Sequence, residues 1–122
     1  MIPRGPTAAA ALLLLAGCAG RDESVAMLAG GSPERGKAAL AAFGCSSCHT
    51  IPGVHGANGL VGPPLGGIGS RSYIGGVVPN TPDNMVRWIM DPPALAPRTA
   101  MPNLGVGTGD ARDMASYLYT LR

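Results

Sequence analysis

The sequence predicts a small all-α domain, with three main helices joined by long loops that wrap a body other than protein. Helix signals occur near residues 33–44, 81–90 and 109–121, and no segment has the pattern of a convincing strand. Large apolar side chains are few, because the 122 residues include one Trp, three Tyr and one Phe. Glycine (19) and proline (12) are frequent, which is typical of chains with much ordered loop. A core this poor in large side chains needs an additional component to fill it.

The first helix has signals at both of its ends. Ser32 is placed to cap its N-terminus, Pro33 takes the first helical position and Glu34 lies in the first turn. Residues 37–43 supply alanine and leucine, and Gly44 ends the helix. These signals predict that the folded domain begins at residue 32 and continues to residue 122.

The second and third helices are indicated by the spacing of their apolar residues. Met85 lies three residues before Trp88 and four before Ile89, which is the spacing of a buried helical stripe. Met114 lies three residues before Tyr117 in the terminal helix. Both methionines are therefore predicted to be core residues.

The charged residues exclude nucleic acid as a partner. The formal net charge is +2, the only lysine is Lys37, and no run of basic residues could neutralise several phosphates. The glycine cluster at 66–69 lacks the Lys-Ser/Thr pair of a phosphate-binding loop. This cluster is interpreted as a turn.

The N-terminus is interpreted as a secretory signal. Arg4 precedes the apolar run 8–16, which is too short to cross a bilayer permanently. Residues 15–18, Leu-Ala-Gly-Cys, resemble the lipobox of bacterial lipoproteins, in which the signal is cut before the cysteine and that cysteine is acylated. We therefore expect residues 1–17 to be removed and Cys18 to carry lipid. The alternative is an ordinary signal peptide with an incidental cysteine.

The residues after Cys18 predict a short connection between a membrane and the domain. Residues 19–31 show no sustained periodicity, so residues 18–31 are interpreted as a lipidated tether. Two or three acyl chains are enough for stable anchoring. The protein is therefore expected on the periplasmic side of a bacterial membrane, and Ala19 favours the outer membrane by resemblance to enterobacterial sorting.

The most specific feature of the chain is the pentapeptide Cys45-Ser46-Ser47-Cys48-His49. Two thiols three positions apart on one helical turn can add to the two vinyl groups of one haem. His49 is then placed to bring its Nε2 atom to the iron. The small side chains between the cysteines let the porphyrin edge approach the backbone. We predict one covalent haem c attached through Cys45 and Cys48.

Two other interpretations of the paired cysteines fit less well. A structural zinc site needs a second pair of ligands, and the candidates His55 and Cys18 do not form one. A thioredoxin-like redox pair needs a strand leading into it within a βαβ unit, and no such strand is indicated.

The second axial ligand of the iron has several candidates. His55 lies six residues after His49, so it is expected to stay on the same side of the macrocycle and at the surface. The remaining candidates are the methionines Met27, Met85, Met90, Met101 and Met114. Met27 falls in the tether, and the methionines of the helices are explained by core packing.

Met101 has a different setting from the other methionines. Pro97 and Pro102 keep its segment extended and exclude a helix, so a loop can place the thioether on the iron. We predict axial ligation by His49 and Met101, which raises the reduction potential and leaves no position for a small-molecule substrate.

Residues 33–122 resemble the class I cytochromes c. The landmarks that carry the resemblance follow the order of that family: Gly36, Leu40, Cys45-Ser46-Ser47-Cys48-His49, Gly62-Pro63-Pro64-Leu65, Arg71, Trp88, Met101-Pro102 and Tyr117-Leu118. Segments 67–71 and 80–89 are especially similar to the cytochrome c domain fused to subunit II of some bacterial haem-copper oxidases. No copper-site cysteines or membrane helices accompany them.

The resemblance implies the class I cytochrome c fold and roles for four further residues. Pro63 presents its carbonyl to the Nδ1–H group of His49, which fixes the ring and raises its basicity. Arg71 and the indole N–H of Trp88 bind the haem propionates, with help from Tyr73. Core packing is the alternative for Trp88.

The resemblance also implies how helices and partners meet. Gly36 lets the first helix cross the last against Tyr117, because a missing side chain permits close approach. Some members of the family surround the haem edge with lysines, whereas this chain has one. Partner contact is therefore expected to be mostly apolar and weakly sensitive to salt.

The function implied is single-electron transfer in a bacterial respiratory chain, with redox partners such as a terminal oxidase or dehydrogenase. No paired carboxylates or Ser/His/Asp set indicates an enzyme. One alternative is a permanent haem subunit of an oxidase or dehydrogenase complex. Another is a haem sensor or peroxidase, which would need an open iron position.

Overall fold

The computed structural model describes residues 29–122. The residues predicted to form the signal peptide, Cys18, Met27 and most of the predicted tether lie outside the described residues. Among the residues described, no helix is long and apolar enough to cross a membrane.

Four α-helices form the described part of the chain, together with two 3₁₀ turns and one small hairpin. The helices are α1 (Pro33–Ala42), α2 (Pro82–Met90), α3 (Pro92–Leu95) and α4 (Thr108–Leu118). The 3₁₀ turns are Cys45–Ser47 and Ile68–Ser70. The hairpin pairs β1 (Tyr73–Ile74) with β2 (Val78–Pro79) in antiparallel register. The prediction of an all-α domain with three main helices is confirmed.

The helix ends follow local chemistry. The Ser32 hydroxyl accepts a hydrogen bond from the backbone N–H of Arg35 at 3.3 Å, as expected of an N-cap. Thr81 caps α2 in the same way through the N–H of Asn84, at 3.2 Å. Helix α1 ends at Ala42, two residues before the predicted end, and Gly44 follows with a φ of +76°.

Helices α1 and α4 cross at Gly36, which is buried. A Cβ atom at this position would lie 1.8 Å from the carbonyl oxygen of Asp113, so only glycine permits the observed approach. The closest contact is therefore one helical turn before Tyr117, the expected partner. Tyr117 instead donates its hydroxyl hydrogen bond to the carbonyl of Pro52 at 2.6 Å.

An ion pair fixes the start of the domain to α4. The Asp113 carboxylate accepts from Nε and Nη2 of Arg35 at 2.8 and 2.9 Å, and from the backbone N–H of Ser32 at 2.7 Å. The hydrogen bonds from Arg35 are the main reason that the pKa of Asp113 lies below its ordinary value. These contacts hold the start of α1 against α4.

The core forms where the faces of α1, α2 and α4 meet. Met85 and Ile89 of α2 are buried, and Met114 of α4 is fully buried. The structure therefore agrees with the helical stripes expected from the sequence.

Candidate haem-binding site

A cavity of about 920 Å³ opens between the helices and the loops that join them. Its lining is mainly apolar and includes Leu40 of α1, Ile89 of α2 and Leu118 of α4. Its size is at the upper end of the range for cofactor sites, roughly 300–1,000 Å³. The scarcity of large core side chains predicts that a non-protein component fills the core, and this cavity is the space for it.

The two thiols stand in one tight turn at the wall of this cavity. Helix α1 is followed by the 3₁₀ turn Cys45–Ser47, in which the carbonyl oxygen of Cys45 accepts from the N–H groups of Cys48 and His49 at 3.2 and 3.0 Å. Both cysteines are free and line the cavity. Burial raises the pKa of the Cys45 thiol. The turn presents both sulfurs and the histidine to the same space.

The imidazole of His49 is held in one tautomer. Its Nδ1 atom lies 2.7 Å from the carbonyl oxygen of Pro63. A carbonyl oxygen can only accept, so Nδ1 carries a proton, and in the neutral ring the lone pair is then on Nε2. An imidazole in this state is a suitable metal ligand, and the ring lines the cavity.

Gly62 packs directly on the imidazole ring. A Cβ atom at this position would lie 2.3 Å from Cε1 and 2.7 Å from Nδ1 of His49. The backbone N–H of Gly62 also donates to the carbonyl of Cys48 at 2.7 Å. The glycine therefore leaves the room that the ring needs to reach Pro63.

Replacing Gly62 by Ala is expected to displace the His49 ring, because the added methyl group occupies its place. If His49 ligates the iron as predicted, we expect this ligation to weaken, seen as a shift of the His49 ring resonances in the NMR spectrum of the reduced protein. Gly107→Ala is a control for lost glycine flexibility, since Gly107 has a φ of −74° with open space around it. Unshifted histidine resonances in Gly62→Ala would contradict the steric argument.

The predicted axial methionine lies in a loop at the cavity. Met101 is half-buried and lines the cavity, and its N–H donates to the hydroxyl of Thr99 at 3.2 Å. Met85 and Met114 also line the cavity, but they are buried within helices. Met90 and the exposed His55 are not among the lining residues. The structure therefore brings Met101 to the same cavity as His49, and its ligation stays a prediction.

The residues predicted to bind propionates all line the cavity. Nη2 of Arg71 donates to the carbonyl oxygen of Pro64, so part of this guanidinium is engaged by backbone. Tyr73 is 59% exposed at the rim. Trp88 is half-buried and packs on Gly75, where a Cβ atom would lie 2.4 Å from Cη2 of the indole. Their contacts with propionates stay predictions.

Two residues contribute to the site without having been predicted to do so. Gly62 is a landmark of the resemblance with no predicted contact, and Asn80, whose Nδ2 atom donates to the carbonyl oxygen of Arg71, has no predicted role. A glycine directly before two prolines is a weak local signal for a close approach. Asn80 has no such signal, because its partners lie far from it in the sequence.

The comparisons with known proteins agree with this geometry. The family model described as Cytochrome c matches residues 33–122. No curated protein and no solved structure gives a significant match. The apolar cavity, the paired thiols and the oriented imidazole fit the haem c that this family attaches through a Cys-x-x-Cys-His motif. The chain belongs to the cytochrome c family, and its cofactor is one covalently attached haem c.

Proposed function

We propose that this protein is a mono-haem, single-electron carrier anchored to the periplasmic side of a bacterial membrane and serving a respiratory chain. Electron transfer by haem c is the property of its family. The observation that carries the proposal is the pairing of His49, with Nε2 available, and Met101 at the same cavity. Filling both axial positions from the chain leaves none for a substrate and supports a carrier rather than an enzyme.

The haem supplies an iron that changes oxidation state by one electron. The chain's own residues fix the conditions for that change. His49 is held by Pro63, which keeps its ring basic and in one orientation. The mainly apolar lining keeps water away, and the soft sulfur proposed for Met101 favours the reduced state. Arg71 and Trp88 are proposed to donate hydrogen bonds to the propionates.

The rim of the cavity supports an apolar contact with redox partners. Among the described residues, the exposed large hydrophobic side chains are Leu60, Val61, Tyr73, Val77 and Leu104. All except Leu60 line the cavity, and the charged residues of its lining within residues 29–122 are Arg71 and Arg98. Such a rim fits partner proteins such as a terminal oxidase or dehydrogenase through contacts that salt weakens little.

Exposure of the reduced protein to carbon monoxide tests the carrier function. With both axial positions filled, we expect an unchanged visible spectrum and a reversible redox titration that follows a one-electron curve. Rapid carbon monoxide binding or peroxidase activity in the unaltered protein would instead indicate an open-iron sensor or enzyme.

The anchor is proposed from the lipobox at residues 15–18, and Cys18 lies outside the described residues. We expect mass spectrometry of the mature protein to find an N-terminal Cys18 bearing acyl chains. Cys18→Ser should abolish both acylation and cleavage before residue 18, whereas Ser24→Ala, a change within the predicted tether, should leave both intact. An unmodified chain with another N-terminus contradicts the anchor but leaves electron transfer intact.

A permanent haem subunit is the second candidate function. The similarity of segments 67–71 and 80–89 to the cytochrome c domain of oxidase subunit II favours it. Purification after mild detergent extraction separates the two candidates. A fixed subunit stays with an oxidase or dehydrogenase complex, whereas a shuttling carrier elutes alone.

A further inference from the structure

The carboxamide of Asn80 joins two distant parts of the domain. Its Nδ2 atom donates to the carbonyl oxygens of Ile68 and Arg71, each at 2.8 Å. Because carbonyl oxygens only accept, the NH₂ group must face them and Oδ1 must face Tyr119. The Tyr119 hydroxyl lies 2.7 Å from Oδ1 and donates to it. Both N–H donors of the carboxamide are therefore used.

The Tyr119 hydroxyl remains a hydrogen-bond donor at physiological pH. Tyr119 is only 3% exposed, and this burial raises the pKa of its phenol to about 12. The hydroxyl thus stays protonated throughout the neutral range.

Further contacts fasten the 3₁₀ turn Ile68–Ser70 to the residues that directly follow α4. The N–H of Gly69 donates to the carbonyl of Leu121 at 2.9 Å, and a Cβ atom at Gly69 would lie 2.9 Å from the carbonyl oxygen of Tyr119. The backbone N–H of Asn80 donates to the carbonyl of Ser72 at 3.0 Å. Asn80 therefore restrains the backbone of the segment that contains Arg71.

Arg71 carries this restraint back to the haem ligand. Its Nη2 atom donates to the carbonyl oxygens of Pro64 and, at 3.0 Å, of Gly66. Pro64 directly follows Pro63, whose carbonyl oxygen accepts from Nδ1 of His49 at 2.7 Å. Proline restricts its own backbone and that of the residue before it, so holding Pro64 also limits Pro63. Hydrogen bonds, together with the Arg71 side chain and the peptide bond between Pro63 and Pro64, connect Tyr119 with His49.

We propose that Asn80 is a positioning residue for the axial histidine, acting through Arg71 and the carbonyl of Pro63. The proposal rests on the proposed function, in which His49 ligates the iron. A firmly held acceptor on Nδ1–H makes the ring a stronger electron donor, which stabilises the oxidised iron. Loss of the Asn80 contacts loosens that acceptor and raises the reduction potential.

Three variants of the full holoprotein test this assignment. Asn80→Leu keeps a similar volume and removes all three side-chain hydrogen bonds, while Tyr119→Phe removes a single hydroxyl. Tyr117→Phe is the matched control. The Tyr117 hydroxyl also lies near the end of α4, but it donates to the carbonyl of Pro52 and not to Asn80 or its partners. The readouts are the reduction potential and the solvent exchange of the His49 Nδ1 proton, followed by NMR in the reduced protein.

We expect Asn80→Leu to speed Nδ1–H exchange about tenfold and to raise the potential. Tyr119→Phe should change the exchange rate and the potential in the same direction as Asn80→Leu but by a smaller amount. Tyr117→Phe should change neither. If Asn80→Leu does not yield holoprotein, the comparison of Tyr119→Phe with Tyr117→Phe decides the matter. Equal exchange rates and potentials in those two variants overturn the proposal and leave Asn80 with a purely structural role.

The same spectra separate failure of this inference from failure of the proposed function. An axial histidine has ring protons shifted strongly by the haem in the unaltered protein. Absence of that shift would show that His49 is not a ligand, which contradicts the proposed function itself. A normal shift with unchanged exchange in the variants contradicts only the role of Asn80.

Discussion

Replacing Cys45 and Cys48 together by alanine is expected to abolish covalent haem attachment. The two thiols line the cavity from one 3₁₀ turn, and thioether bonds from them are the link that survives denaturation. Without a thioether bond, acid acetone can extract any haem that the cavity of about 920 Å³ still holds. Extraction with acid acetone followed by a haem stain on a denaturing gel measures the result, and the double variant should give no stain.

The serines between the cysteines provide matched controls for this double variant. Ser46→Ala should keep the stain at little cost in stability, because the buried Ser46 hydroxyl has no hydrogen-bond partner among the described residues. Ser47→Ala should also keep the stain, since its side chain is exposed. Each single cysteine variant is expected to retain a reduced stain through its remaining thioether. A full stain in the double variant would overturn the attachment site.

Helix positions could be predicted because their signals are local. Ser32 and Pro33 mark the start of α1 where the structure places it, and Gly44 marks its end to within two residues. Helix α3 has no comparable signal. The pair Pro92-Pro93 resembles a helix breaker, although proline also fits the first turn of a helix, where its missing N–H is not needed.

The hairpin and the helix crossing show the limits of sequence patterns. Strands β1 and β2 have two residues each, which is too short for any alternation of polar and apolar residues to be recognised. The resemblance identified Gly36 as the glycine of the crossing, but it did not identify Asp113 as its contact. The contact of Gly36 with Asp113 depends on how two helices dock, and the sequence does not give the docking height.

Some residues of the candidate site could be predicted from local sequence and others could not. Cys45, Cys48 and His49 are adjacent in the chain, so their common chemistry could be predicted from spacing alone. The carbonyl of Pro63 lies 14 residues from His49, and its role came from family resemblance. The bond between Tyr119 and Asn80 spans 39 residues and has no local signal. Such contacts become visible only when the chain is folded.

Replacing Met101 by Ala is expected to open the iron, because the thioether of this loop is the proposed second axial ligand. The oxidised protein should lose the weak red charge-transfer band of a methionine–iron bond. In the reduced state the variant should bind carbon monoxide, and its reduction potential should fall as the soft sulfur is removed. Visible spectroscopy with a redox titration measures all three effects.

The other methionines and His55 provide the controls for the axial assignment. Met85→Leu and Met114→Leu should keep the band and lower stability by less than about 1.5 kcal/mol, since both residues are buried and the swap conserves volume. Met90→Leu should also keep the band, because Met90 lies outside the lining of the haem cavity. Persistence of the band in Met101→Ala, with its loss in one of these variants, would show that the loop argument is wrong. If the unaltered protein has no such band and His55→Ala opens the iron, two histidines ligate the haem and its potential should be much lower.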